Sequence, residues 1–174
     1  NLDKKGVFTT HDTQQQNKLP ERTQISLEIL GNEWLTDESI QFYYQVLAAK
    51  VIDNTKILLM NPIISQAIKC LSDFEHVLDK VELQGKTHIV IPVNDSPAVD
   101  KPGGSGSHWS LLLYVAEMEE FLYYDSLGLK NFDHAVKISS ALQTFLNKNV
   151  KCKITPVKVP QQSNGFDCGI YLLL

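Results

Sequence analysis

Between Thr87 and Tyr124 the chain changes its hydrophobic period, and that change commits it to a fold built around a sheet. His88-Ile89-Val90-Ile91-Pro92-Val93 is a β-branched run of strand length, which reads as a buried strand. Trp109-Ser110-Leu111-Leu112-Leu113-Tyr114-Val115 and Phe121-Leu122-Tyr123-Tyr124 follow. A turn through Glu117 to Glu120 separates them, so the pair reads as a hairpin. Asp95 to Ser107 holds two Pro and three Gly and reads as a loop.

Helical patterns flank this block. Thr36 is placed to cap a helix over 37–49, with Ile40, Tyr43, Tyr44 and Leu47 at helical spacing. Ile57 to Met60 is a short extended segment. Asn61-Pro62 starts a second helix with Pro at its first position, carrying Ile64, Ala67, Ile68 and Leu71 on its apolar face, and a short helix follows around Asp73 to Leu78. Beyond the hairpin, Asp133 to Lys148 forms an amphipathic helix with Ala135, Ile138, Leu142, Phe145 and Leu146 on one face. Residues 151–159 alternate as a strand, and a last helix opens near Cys168. The expected architecture is α+β: a helical N-terminal part, a central mixed sheet and a C-terminal helix that begins at a cysteine.

The 174 residues suit one domain. Residues 1–24, rich in Gln, Thr, Asn, Lys and Asp, read as a flexible tail, and 25–174 as the domain, which is expected to continue past its last residue. No apolar run approaches the ~20 residues that span a bilayer, and no signal peptide is visible. A net charge of −4, without a block of Lys and Arg, argues against nucleic acid. Three cysteines, an odd number, exclude a complete disulfide framework and favour a reducing, intracellular setting in cytoplasm or nucleus. A monomer is expected.

The chemistry concentrates in three separated segments: His108-Trp109-Ser110, Tyr124-Asp125-Ser126 and Gln161-Gln162-Ser163-Asn164-Gly165-Phe166-Asp167-Cys168-Gly169. A thiol, an imidazole and a carboxylate are the parts of a nucleophilic site. A helix N-terminus and a neighbouring imidazolium both favour the thiolate, and Cys168 stands where a helix opens. His108 and Asp125 lie at the two ends of one hairpin, so Asp125 can fix the ring through one nitrogen and leave the other for Cys168. Gln162 is a candidate oxyanion donor beside the cysteine's own N–H. Cys70 and Cys152 read as small core residues, and His11, His76, His88 and His134 as surface or core. Gly103-Gly104-Ser105-Gly106 lacks the ending of a phosphate loop. No Cys-x-x-Cys or close Cys/His pair exists to hold zinc, and no metal or cofactor is expected.

Together these motifs resemble the Ulp/sentrin-specific proteases, papain-like cysteine proteases that process ubiquitin-like modifiers. Trp34-Leu35-Thr36-Asp37 is similar to that family's Trp-Leu-Asn-Asp motif, with Thr in place of Asn. Pro62 to Cys70 and Val93-Asn94-Asp95 look closest to its deneddylase branch. The resemblance covers residue 30 onward and implies the Ulp-type papain-like fold. It makes Cys168 the nucleophile, His108 the general base, Asp125 its orienter and Gln162 the oxyanion-hole residue. It also implies that Trp34 and Trp109 enclose a Gly-Gly tail and that Asp37 is a candidate contact to that tail. The implied activity is an isopeptidase or endopeptidase acting after that tail through a thioester, deneddylase-like, with SUMO also open. The alternatives are an acyltransferase on the same scaffold and a catalytically inactive modifier-binding module.

Overall fold

The structure is a computed structural model that describes residues 28–29, 31–50, 53–78, 81–97, 106–146 and 153–174. The expected tail over 1–24, the start of the domain at 25–27, and Cys152 lie outside the described residues. In chain order the elements are α1 (Asp37–Lys50), β1 (Ile57–Leu59), α2 (Pro62–Cys70), α3 (Glu75–Leu78), β2 (His88–Asn94), β3 (Trp109–Val115), β4 (Glu120–Tyr124), α4 (Phe132–Phe145), β5 (Lys153–Pro156) and α5 (Cys168–Leu173).

The strands form one five-stranded sheet in the order β1-β2-β3-β4-β5. Its centre is an antiparallel meander, β2 on β3 and β3 on β4, and its two outer strands each pair parallel to their neighbour. A proline in an inner strand normally removes a ladder hydrogen bond. Pro92 escapes that cost because β1 reaches only as far as Val90 along β2, so the side it faces has no partner strand at its position. The carbonyl of Pro92 is used instead by Ser65 of α2, whose hydroxyl donates to it at 2.7 Å.

Strand alternation sends side chains to two faces. Ile89, Ile91, Val93, Leu112, Tyr114, Phe121 and Tyr123 join Met60 and Ile68 and the α4 residues Ala135, Ile138 and Leu142 in one buried cluster. On the other face Leu35, Ile40, Tyr44, Trp109, Cys168 and Leu172 form a second cluster, with Val90 and Leu111 packed against it. The sheet is therefore sandwiched, α2 to α4 on one side and α1 with α5 on the other. The second, smaller cluster contains the cysteine.

Local signals explain the helix starts. Asn61 Oδ1 accepts from the Ile63 N–H at 2.8 Å, with Pro62 at the first position. Thr36 Oγ1 accepts from the Ser39 N–H at 3.2 Å. The buried Glu28 carboxylate accepts from the Thr36 N–H at 3.2 Å and from the Ser39 hydroxyl, which adds negative charge where the helix dipole favours it. Two expectations are corrected. On α1, Ile40 and Tyr44 are buried but Tyr43 is exposed, because Ser39 takes part of the inward face. Cys70 is only half-buried at the last position of α2, where its sulfur lies 3.7 Å from the Pro97 carbonyl instead of in the core. No helix among the described residues is long and apolar enough to cross a membrane.

Candidate active site

His108 sits one residue before β3 and Asp125 one residue after β4, so the hairpin delivers both to the same end of the sheet. Their side chains meet: His108 Nε2 and Asp125 Oδ1 are 2.6 Å apart with both side chains fully buried. Asp125 is itself held by the Tyr123 hydroxyl, which donates to Oδ2 at 2.6 Å, and by the Leu127 N–H, which donates to Oδ1 at 2.8 Å. Asn131, fully buried, donates its backbone N–H to Asp125 Oδ2 at 3.3 Å and its side-chain amide to the His108 carbonyl at 3.0 Å. With Nε2 taken, the ring nitrogen left for Cys168 is Nδ1, which is buried and makes no hydrogen bond.

The electrostatics follow from these contacts. Burial alone would drive the His108 pKa down. The hydrogen bond and charge of Asp125, with a smaller contribution from the nearby Cys168, outweigh it and lift the value to about 9. Burial alone would likewise raise the Asp125 carboxyl, but the donors His108, Tyr123 and Leu127 hold it below the usual carboxylate range. At neutral pH the pair is an imidazolium on a carboxylate, and an imidazolium is the neighbour that stabilises a thiolate.

Cys168 is the first residue of α5 and is 1% exposed. The loop before it is braced from within. Asn164 Oδ1 accepts from the N–H groups of Phe166 and Asp167 at 3.1 and 3.0 Å, and its amide donates to Asp167 Oδ2 at 2.7 Å. Gln162 is buried, with its Oε1 accepting from the Ser126 hydroxyl at 2.6 Å and its Nε2 donating to the Asn164 carbonyl at 2.7 Å. A primary amide carries two N–H donors, so one is left over by these bonds. Gln161 has a different job. It is exposed, and its side chain clips the Asp125 carbonyl and the Gly128 N–H, at 3.0 and 2.8 Å.

A cleft of about 50 Å³ opens on the sulfur, lined by Trp34, Leu35, Thr36, Asn94, Gly106, Ser107, His108, Trp109 and Cys168. Both expected indoles are in its wall, and each is tied down. Trp34 Nε1 donates to the Gly165 carbonyl at 2.7 Å and Trp109 Nε1 to the Leu35 carbonyl at 2.8 Å. Trp34 is half exposed and Trp109 buried, so the first stands toward the rim and the second deeper in the wall. Asp37 lies in the first turn of α1, half-buried and outside the cleft lining.

The profile of the Ulp1 protease family, C-terminal catalytic domain, matches residues 33–174. The chain belongs to the Ulp1 protease family. Within that family it is 30% identical over 146 residues to sentrin-specific protease 8 of Homo sapiens, covering 80% of this chain and 68% of that protein. It is 35% identical over 151 residues to NEDD8-specific protease 1 of Arabidopsis thaliana, covering 84% and 66%. The chain thus spans about two thirds of the length of these relatives. Among solved structures, the C-terminal Ulp1 protease domain in complex with Smt3, the yeast ortholog of SUMO, superposes with a TM-score of 0.64 at 20% identity, covering 86% of this chain and 66% of that one. The fold is that of Ulp1-type proteases.

Trp34, His108, Trp109 and Cys168 line one cleft, and Asp125 is bonded to His108, whereas Gln162 is bonded to Ser126 and Asn164 outside the cleft lining and Asp37 also stands outside it. Tyr123, Ser126 and Asn131 escaped the sequence reading as site residues. The first two flank Asp125 within or beside its motif, a usable signal, whereas Asn131 carries none.

Proposed function

We propose that the chain is a cysteine isopeptidase and endopeptidase that cleaves after the C-terminal Gly-Gly of a ubiquitin-like modifier, with NEDD8 favoured over SUMO. One observation carries the reading: a buried imidazole bonded to a carboxylate faces a cysteine at the base of a cleft walled by two indoles. Relatives named as NEDD8-specific proteases support the choice of modifier. Cys168, His108, Asp125 and Gln162 are the proposed catalytic group, Trp34 and Trp109 the tail-binding walls, and Asp37 an outer contact to the modifier.

The steps follow from the residues. The Cys168 thiolate attacks the terminal glycine carbonyl carbon, and the resulting oxyanion is held by the Gln162 amide and the Cys168 N–H. His108, as imidazolium, gives its proton to the leaving amine as the C–N bond breaks, leaving a thioester. His108, now neutral, takes a proton from water, whose oxygen attacks the thioester. The modifier leaves with a free carboxylate, and the thiolate–imidazolium pair is restored. Two flat indoles admit glycine and exclude a Cβ, which explains a Gly-Gly requirement.

The test is a panel of modifiers carrying a C-terminal propargyl or vinyl-sulfone electrophile. A covalent adduct with the NEDD8 probe, absent in Cys168→Ala, is the expected result. Labelling by none of the probes overturns the substrate class, and labelling by the SUMO probe alone overturns the modifier.

A further inference from the structure

The β2–β3 ladder ends at the pair Asn94↔Trp109. His108 is therefore the first residue outside the sheet, and no strand receives its N–H. A carboxylate receives it instead. Asp95 Oδ1 accepts from the His108 N–H at 3.0 Å and from the Ser107 N–H at 2.5 Å, while Oδ2 accepts from the Ser107 hydroxyl at 2.7 Å. We propose that Asp95 is a positioning residue for His108, a side chain that continues the strand ladder one step beyond its end and thereby sets where the catalytic imidazole is rooted. This rests on the proposed reading of the site.

Asp125 holds only the far nitrogen of the ring. A ring pinned at Nε2 still swings its Nδ1 if the backbone at 108 shifts, and Nδ1 is the atom that faces the thiol. Fixing the aim requires fixing the root as well. The His108 main chain is held at both ends, its N–H by Asp95 and its carbonyl by Asn131. Asp95 is in turn anchored from behind. Lys69 of α2 donates its ammonium to the carbonyls of Asn94 and Ser96, and Gln66 donates to the Ser96 carbonyl at 2.9 Å. Lys130 bridges the front, 3.8 Å from Asp95 Oδ2 and donating to the Ser107 hydroxyl at 2.9 Å. Asp95 itself is absent from the cleft lining, so it acts through His108 and not on the substrate.

The charge of Asp95 is secure. Burial would raise its carboxyl, but the Ser107 and His108 donors and the nearby Lys130 leave it below its usual value. The stretch it closes is rich in Pro and Gly, from Pro97 through Pro102 and Gly103 to Gly106. The clip joins Asp95 to Ser107 and His108 across that stretch and so holds the backbone from which His108 projects.

The experiment compares wild type, Asp95→Ala and the near-isosteric Asp95→Asn in three measurements on the whole chain. These are kcat and KM on a NEDD8 precursor, the rate of Cys168 alkylation by iodoacetamide against pH, and thermal unfolding. Asp95→Ala is expected to lower kcat by up to roughly 10²-fold, the cost of a small misplacement of a reacting group, with KM within about twofold. Its alkylation at pH 7 should slow in parallel, since a displaced imidazolium no longer supports the thiolate. Asp95→Asn keeps one acceptor oxygen and should recover most of both. Unchanged kcat and alkylation below the melting temperature, with only a lowered Tm, would mean a structural clip and overturn the proposal. So would a loss confined to KM. If Asp95→Ala does not fold, Asp95→Asn decides alone, through a kcat and alkylation loss smaller than tenfold but greater than twofold. Alkylation needs no modifier, so it tests Asp95 even if wild type cleaves no precursor, an outcome that sinks the substrate reading instead.

Discussion

His108 owes its charge to its neighbours, and that dependence has a sign that can be measured. Its pKa stands at about 9, above the ordinary 6.5, chiefly through Asp125 acting against burial. The leaving amine needs a proton from the imidazolium, so kcat/KM should fall as pH rises through about 9. In Asp125→Asn that alkaline limb should move down toward neutrality, and kcat should drop by as much as roughly 10⁴ where the carboxylate sets the tautomer. A limb that stays put in Asp125→Asn would show that another group charges the ring. Stability follows the same sign. A raised imidazole pKa contributes stability that is complete below the ordinary value of 6.5 and is lost as pH climbs through about 9. Urea midpoints measured between pH 6 and 10 should decline across that window in wild type and much less in Asp125→Asn. Gln162→Ala should lower kcat by roughly 10²–10³ with little change in KM. Gln161→Ala, which loosens only the turn after Asp125, should do less. At this scale the meeting of His108 with Asp125, and of His108 with Cys168 in one cleft, was legible because these residues stand in recognisable motifs. Asn131 was not, and Asp95 was legible only as part of a matching motif and not in its role, because each works by hydrogen bonds to backbone atoms brought close by the sheet.

The elements meet at the site through contacts too close for a side chain. A Cβ added to Gly169 would lie 2.7 Å from Leu35 Cβ, whereas one added to Gly165 would have nothing within 4 Å. Gly169→Ala gains helix propensity but must push Leu35 away, and overpacking of this kind costs about 1–3 kcal/mol. Denaturant unfolding should therefore show Gly169→Ala destabilised and Gly165→Ala close to wild type. Activity should fall with Gly169→Ala as well, because the Leu35 carbonyl holds the Trp109 indole. Equal stability of the two variants would show that α5 adjusts freely against the segment before α1. Most elements were readable from periodicity, β2 through α4 with boundaries near those observed, since half-buried strands and amphipathic helices announce their faces. The two-sided burial of the sheet was not. The expected α1 face included Tyr43, but the second cluster is narrow and draws only Ile40 and Tyr44 inward. Which strands pair parallel also depends on where the intervening helices pack, and local pattern carries no trace of that.

For the molecule as a whole, the proposed slot between the two indoles would make substrate shape a property of the fold. Replacing the penultimate glycine of a modifier precursor by alanine should block cleavage by wild type, since a Cβ has no room between anchored walls. Trp34→Ala should relax that discrimination while raising KM, because it removes a wall and its contact area together. Equal cleavage of the Gly-Gly and Gly-Ala precursors would remove the slot from the account. The proposed catalytic group is also spread along the chain in a fixed order, with the proposed first wall at Trp34, base at His108, orienter at Asp125 and nucleophile at Cys168. Translation reads that order in time. At about 5–20 residues per second, roughly 3–12 s separate synthesis of the base from synthesis of the nucleophile. During that interval the β3–β4 hairpin and its ion pair exist without a sulfur to activate, and the parallel strand β5 that closes the sheet arrives only just before it. On the proposed assignment, a nascent chain gains its nucleophile only after the last strand of the sheet has been made, so synthesis order alone delays activity until the sheet can form.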